Sequence, residues 1–208
     1  ENKIKRFLMK IFNIGYLSCG QNKYCRSIEV NDIHNLAIKH SHFLVREKRE
    51  MYDKLSEKDK ERIIKIFTNG SLNNFEINGD KQTVILLTIP LFKDRYVKTK
   101  RYQEIIYRDL VCDLIDKGFE VYVKPHPRDD VDYSEIVEAN KIIDKNIPTE
   151  VFNFSNLLHF NLAVTIFSSS IQLMNFADEK VDLGLDYLVE KYPEYLHSRL
   201  TSKRGNSL

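Results

Sequence analysis

No run in this 208-residue sequence is apolar for long enough to cross a membrane, since none approaches the roughly 18 residues that a spanning helix needs. A signal-peptide pattern is missing as well. The chain opens Glu1-Asn2-Lys3 rather than with Met, which leads us to expect a piece of a longer protein. Charge of one sign is not in excess: the net is only +2, so bulk charge does not argue for nucleic acid. Cysteine is scarce, with Cys19, Cys25 and Cys112 alone, and an odd, low count fits a reducing cytoplasm better than a disulfide framework. His34, His40 and His42 lie downstream of Cys19 and Cys25, but without the tight ligand spacing of a structural zinc site. They read as scattered histidines, and no metal is expected. A GxGxxG phosphate fingerprint is absent, and so are internal repeats and low-complexity segments.

What is present is enough to build a core, at 42% hydrophobic residues, with a somewhat high 30% charged. Residues 3–12 pattern as a short basic amphipathic helix with Ile4, Phe7, Leu8 and Ile11 on one face. Such a helix packs on a domain or lies on an anionic membrane surface. Ser27–Val30 suggests a strand, and 47–67 a helical stretch broken near Ser56, where Ser56 and Asp59 resemble a capping box. Turn signals at Asn69-Gly70-Ser71 and Asn78-Gly79-Asp80 place a linker at 68–81. Residues 1–80 are therefore expected to be a mostly helical remnant of an N-terminal domain.

From residue 81 to 208 the pattern becomes regular. Strands are expected at Thr83–Ile89, Glu120–Lys124, Lys141–Asp144 and Leu162–Phe167. Helices are expected at Thr99–Lys117, Asp132–Asn140, Asn153–Phe160, from Ser168–Ser170 to Phe176, and at Leu185–Tyr195. Strands alternating with helices predict an α/β fold, a Rossmann-like parallel sheet with helices on both faces.

The chemistry gathers where strands stop. Glu120-Val121-Tyr122-Val123-Lys124 runs into Pro125-His126-Pro127-Arg128, and two prolines forbid the strand's continuation. They hold the His126 imidazole just past a carboxyl-terminal strand end, the edge where open α/β sheets bind ligands. Charged, His126 can pair with a phosphate and protonate it as it leaves. Lys124 and Arg128 can add charge-assisted contacts. Ser168, Ser169 and Ser170 follow a strand and open a helix, which suits a phosphate. Glu150 sits at the same edge and can accept the two hydroxyls of a ribose. Asp94, past the first strand of this half, is either a general base or a turn residue paired with Lys93 or Arg95.

Leu86-Leu87-Thr88-Ile89-Pro90-Leu91-Phe92-Lys93-Asp94, then Val123–Arg128, then Thr165–Ser169 together resemble the C-terminal nucleotide-binding half of the bacterial GT-B sialyltransferases, and in particular glycosyltransferase family 52. The likeness covers residues 83–176. It implies CMP-sialic acid as donor, a lipooligosaccharide or capsular glycan as acceptor, inversion at the anomeric carbon, and no metal. It implies that the His-Pro histidine, here His126, is the acid at the phosphate. The serine motif, here Ser168 and Ser169, would hold that phosphate, and Glu150 the ribose. With these go Lys124, Pro127, Arg128 and Ser170 as neighbours of the donor nucleotide. The family's base lies in an acidic pair followed by glycine, and the nearest match is Lys93-Asp94-Arg95, which lacks the first acid and the glycine. The base is thus Asp94 or a carboxylate upstream of Glu1. A cytoplasmic protein that touches the membrane peripherally, or pairs with a second copy, is compatible with this reading. Two other readings stay open. Enzymes that transfer glycerol phosphate from CDP-glycerol also carry Lys-Pro-His-Pro and a Ser-Ser motif, but with Asp-Tyr where this chain has Ile166-Phe167. The third is a nucleotide-binding half, or partner subunit, without activity of its own.

Overall fold

The computed structural model describes residues 26–30, 43–69, 77, 81–155 and 158–201. The expected helix at 3–12, the three histidines, Cys19, Cys25 and most of the 68–81 linker lie outside these. The chain divides into two compact units, Glu1–Ser56 and Glu57–Leu208. In the first, β1 (Ile28–Val30) pairs in parallel with β2 (Phe43–Val45), and α1 (Lys48–Asp53) follows.

The second unit starts with α2 (Glu57–Thr68), so the break near Ser56 is where the composition placed it. Its centre is β3 (Thr83–Leu87), whose five residues are all buried. A run apolar at every position, Val84-Ile85-Leu86-Leu87, is what a strand covered on both faces requires. Alternate side chains go to opposite cores. Val84 and Leu86 meet Ile106, Tyr107, Leu110 and Leu114 of α3 (Lys100–Asp116). Ile85 and Leu87 meet Ile147, Phe152, Phe160 and Phe176 on the other face, where Ile63 and Ile64 of α2 also pack. At about 1.5–3 kcal/mol per large apolar side chain removed from water, these two layers hold the sheet between its helices.

α3 is bounded as its sequence directs. Thr99 accepts the Tyr102 amide at 3.2 Å as N-cap. At the other end Gly118 takes φ +89°, a left-handed turn that reverses the chain into β4 (Glu120–Lys124). With β5 (Phe160–Thr165) and β6 (Ala177–Asp182), the sheet runs β4-β3-β5-β6, every pair parallel. It is a Rossmann-like parallel sheet with helices on both faces. The chain leaves β3 to one side, for β4, then crosses to the other, for β5. Connections that part in this way open a crevice at the carboxyl ends of the strands.

Several expected elements differ. Asp132–Asn140 is two short 3-10 turns, Tyr133–Glu135 and Ala139–Lys141, because the Asp132 carboxylate takes the Ser134 amide and hydroxyl and closes a local turn instead of starting an α-helix. Lys141–Asp144 contributes a single bridge, Ile142 beside Val123. The helix placed at Asn153–Phe160 is a 3-10 helix at Thr149–Phe154, and Phe160 already belongs to β5. Ser168 precedes a five-residue 3-10 helix, Ser169–Leu173, rather than an α-helix to Phe176. β6 was not expected at all: only Ala177 of its six residues is buried, so its side chains carry no period. The helix expected at Leu185–Tyr195 ends early. α4 spans Gly184–Lys191, and Pro193 starts a separate 3-10 turn. α5 (Ser198–Thr201) closes the described chain. No helix among the described residues is long and apolar enough to cross a membrane.

Candidate functional site

A cleft of about 350 Å³ opens at the carboxyl ends of β3, β4 and β5. Leu87 and Thr88 come to it from β3, Lys124–Pro127 from β4, Ser168 and Ser170 from β5, and Asn146–Glu150 from the loop that crosses the sheet. A larger hollow of about 480 Å³ lies at the opposite, amino end of β4, lined by Lys81, Phe119, Glu120 and Lys141 among others. It holds no histidine, no hydroxyl side chain and no strand carboxyl end, so the chemistry belongs to the smaller cleft.

Six of the nine residues singled out from sequence line that cleft: Lys124, His126, Pro127, Glu150, Ser168 and Ser170. Ser168 and Ser170 share a hydrogen bond of 2.7 Å between hydroxyls. The backbone amides of Ser169 and Ser170 open the 3-10 helix, where no preceding turn supplies them with a carbonyl. The dipole of so short a helix is small, so hydroxyls and amides, rather than a macrodipole, are what this corner offers an anion. The Ser169 side chain lies outside what is described.

Lys124 shares a face of β4 with Tyr122, and that face turns inward. It is only 3% exposed. Its ammonium donates to the carbonyls of Pro125 at 3.0 Å and Lys145 at 3.1 Å. Burial pushes its pKa down to about 8, against the pull of Asp144 and Glu150. The cleft therefore has a desolvated cation at its floor, held ready by neutral carbonyls rather than by a carboxylate.

His126 sits in a tight turn. Its backbone N–H donates to Thr88 Oγ1 at 3.2 Å, and its carbonyl accepts the Asp129 amide at 2.8 Å. The Arg128 amide donates to its Nδ1 at 3.1 Å. An amide can only donate, so Nδ1 is the bare nitrogen and the ring proton is on Nε2. Partial burial lowers the His126 pKa, and Arg128 and Lys124 lower it further; Asp94 and Asp129 pull the other way. In the free chain the bare Nδ1 and the lowered pKa favour a neutral Nε2–H donor; the charged form read from the sequence is one that a bound phosphate would sustain.

Asp94 and Arg128 do not line the cleft. They hold each other in a two-bond fork, Nη1 to Oδ1 at 2.9 Å and Nη2 to Oδ2 at 3.1 Å. Next to them Lys93 pairs with Asp130 at 3.2 Å. The turn after β3 is latched in this way to the turn after β4. Arg95, where the acidic motif of the sialyltransferases has glycine, takes φ +59°, a left-handed backbone that favours glycine.

Sequence reasoning missed the layer beneath the turn. Asp129, 2% exposed, gathers Thr88, Gln103, Tyr133 and the Val131 amide around one carboxylate. The signal was an acid beside the His-Pro motif, but Asp129 and Asp130 are equivalent in sequence, and nothing there says which one turns inward. Among the described residues no cluster of three or more His, Cys, Asp or Glu side chains is arranged to hold a metal.

The profile of glycosyltransferase family 52 matches residues 2–184. A curated protein of Haemophilus influenzae (strain ATCC 51907 / DSM 11121 / KW20 / Rd), described as an uncharacterized protein, is 32% identical over 122 residues. Those residues are 59% of this chain and 35% of that protein, so the chain spans about a third of the length of the curated relative it matches. No solved structure matches.

Proposed function

The chain belongs to glycosyltransferase family 52, and on that premise we propose that its cleft holds the nucleotide of CMP-sialic acid and serves transfer of the sugar to a cell-surface glycan. One observation carries the reading: a buried cation, a neutral imidazole, two hydroxyls and a carboxylate meet in one cleft at a parallel-sheet switch point. Ser168, Ser170 and the amides beside them accept the phosphate. Lys124 supplies positive charge from beneath, and Glu150 takes the ribose hydroxyls. The donor requires no metal, because these groups already meet the phosphate charge.

Transfer is a displacement with inversion. The acceptor oxygen bonds to the anomeric carbon as the bond from that carbon to the CMP phosphate oxygen breaks. The acceptor proton passes to a carboxylate. His126 donates its Nε2–H as a hydrogen bond to the departing phosphate and stabilises the charge that grows there, keeping its proton. Asp94 serves as base only after leaving Arg128, since a carboxylate forked to a guanidinium is a poor proton acceptor.

Calorimetry of the 208-residue chain with CMP in EDTA tests the site. Binding is expected, and Ser168→Ala with Ser169→Ala should weaken it. Loss of binding on chelation, or no effect of the double variant, refutes the assignment. A product assay with CMP-sialic acid and CDP-glycerol in parallel separates sialyl transfer from glycerophosphate transfer.

A further inference from the structure

Nothing in the chemistry above uses Asp129, yet its side chain accepts four hydrogen bonds. Oδ1 accepts from Gln103 Nε2 at 2.9 Å and the Val131 amide at 3.1 Å. Oδ2 accepts from Thr88 Oγ1 at 2.8 Å and the Tyr133 hydroxyl at 2.7 Å. Lys145 reaches the same residue, but its ammonium donates to the main-chain carbonyl at 3.0 Å. Burying a carboxylate is costly unless every lone pair is met, and only a carboxylate can accept from four converging donors. An asparagine in the same place would turn an amide toward donors on one side. The site is built for a charge, although a core next to β3 would be filled as well by an apolar residue.

The consequence of the charge appears one bond further on. Because Thr88 gives its hydroxyl proton to Asp129, its lone pairs face the His126 amide. Asp129's own amide holds the His126 carbonyl. Both main-chain groups of His126 are therefore tied to Asp129, one through Thr88 and one directly. Between these ties lies the Arg128 amide, which is aimed by the turn at Nδ1. A turn free to rotate by a few tens of degrees would lose that contact, since hydrogen bonds weaken steeply with angle. The ring would then carry its proton on either nitrogen.

We propose that Asp129 is a positioning residue: through Thr88 and the 126–129 turn it holds His126 as the single tautomer whose Nε2–H faces the cleft. For its catalytic consequence this rests on the proposed function; for the tautomer it does not.

The test uses nitrogen-15 histidine-labelled chain, with the His126 ring signals assigned by their loss in His126→Ala. In the unaltered chain Nδ1 should show the shift of an unprotonated, hydrogen-bonded nitrogen and Nε2 that of a protonated one. Thr88→Val, which cuts the tie but keeps the shape, should average the two signals, and Thr88→Ser should restore them. Asp129→Asn should act like Thr88→Val. If Asp129→Asn fails to fold, the Thr88 pair decides. In a transfer assay both disruptive variants should lower kcat about 10²-fold, the scale of a small misplacement of a catalytic group, with donor KM changed much less. A single Nε2–H tautomer persisting in folded Thr88→Val, or Thr88→Ser behaving like Thr88→Val, overturns the proposal. Correct ring signals without any nucleotide binding would leave the positioning role standing and remove the proposed function instead.

Discussion

Replacing Lys124 by methionine should make the chain more stable at neutral pH and poorer at holding a nucleotide. The side chain is 3% exposed, and burial brings its pKa from the ordinary 10.5 to about 8. At about 1.36 kcal/mol per tenfold, that drop makes the charged form cost about 3 kcal/mol in the folded state at neutral pH. Methionine removes this cost and fills a similar volume. It also leaves the carbonyls of Pro125 and Lys145 without their donor, at about 1 kcal/mol each. The net expectation is a gain of about 1–2 kcal/mol at pH 7, read by urea denaturation. The sign with pH follows from proton counting. Below about pH 8 both states carry the proton and the folded state bears the full cost. Between about 8 and the ordinary 10.5 the unfolded chain binds more protons, so the unaltered protein gains stability as pH rises. Lys124→Met lacks that gain, so its advantage should shrink across this window and then reverse. Meanwhile affinity for CMP should fall at pH 7, since the phosphate loses its desolvated cation. An advantage independent of pH from 7 to 10, or a variant clearly less stable at pH 7, would refute the idea that Lys124 is held charged and desolvated for a ligand.

Substitutions at two further residues probe the reaction in a transfer-competent protein containing this chain. His126→Ala should lower kcat by about 10²–10⁴-fold, and His126→Gln, which keeps an N–H donor without charge, should recover part of it. Because burial lowers the His126 pKa, the unfolded chain takes up that proton first as pH falls, so this residue subtracts stability on acidification through its ordinary 6.5. A urea series from pH 8 to 5 should show a smaller acid loss for His126→Ala. Asp94→Asn should abolish turnover and leave CMP affinity nearly unchanged if Asp94 is the base; near-normal turnover would move the base to a carboxylate elsewhere.

Much of the sheet could be read without coordinates because its signals are local. Val84–Leu87 is apolar at successive positions, as a doubly covered strand must be. Thr99 and Gly118 bracket α3 by backbone chemistry that any helix obeys. The Lys-Pro-His-Pro turn was legible because proline excludes the alternatives outright. β6 was not, since an edge strand is held by backbone bonds to β5 while Asp178, Glu179 and Lys180 face solvent. The 3-10 turns between β4 and β5 were misread as longer helices and a strand. Their residues pack as single apolar anchors, Tyr133, Val137, Ile143 and Phe152, so no period of either kind is sustained.

By itself, then, the sequence determined which residue types stand at the strand ends: His126, Lys124, Glu150 and the serines. Their position follows from where strands can and cannot continue, which is a property of neighbouring residues. The tertiary structure alone decided how those groups are held. Asp94 and Arg128 are 34 residues apart and satisfy each other. Lys124 is desolvated by a loop that returns some twenty residues later. Of two adjacent aspartates, Asp130 meets Lys93 while Asp129 is buried under His126. Charge state, tautomer and pairing depend on which distant atoms arrive within about 3 Å, and the linear order of residues does not contain that distance.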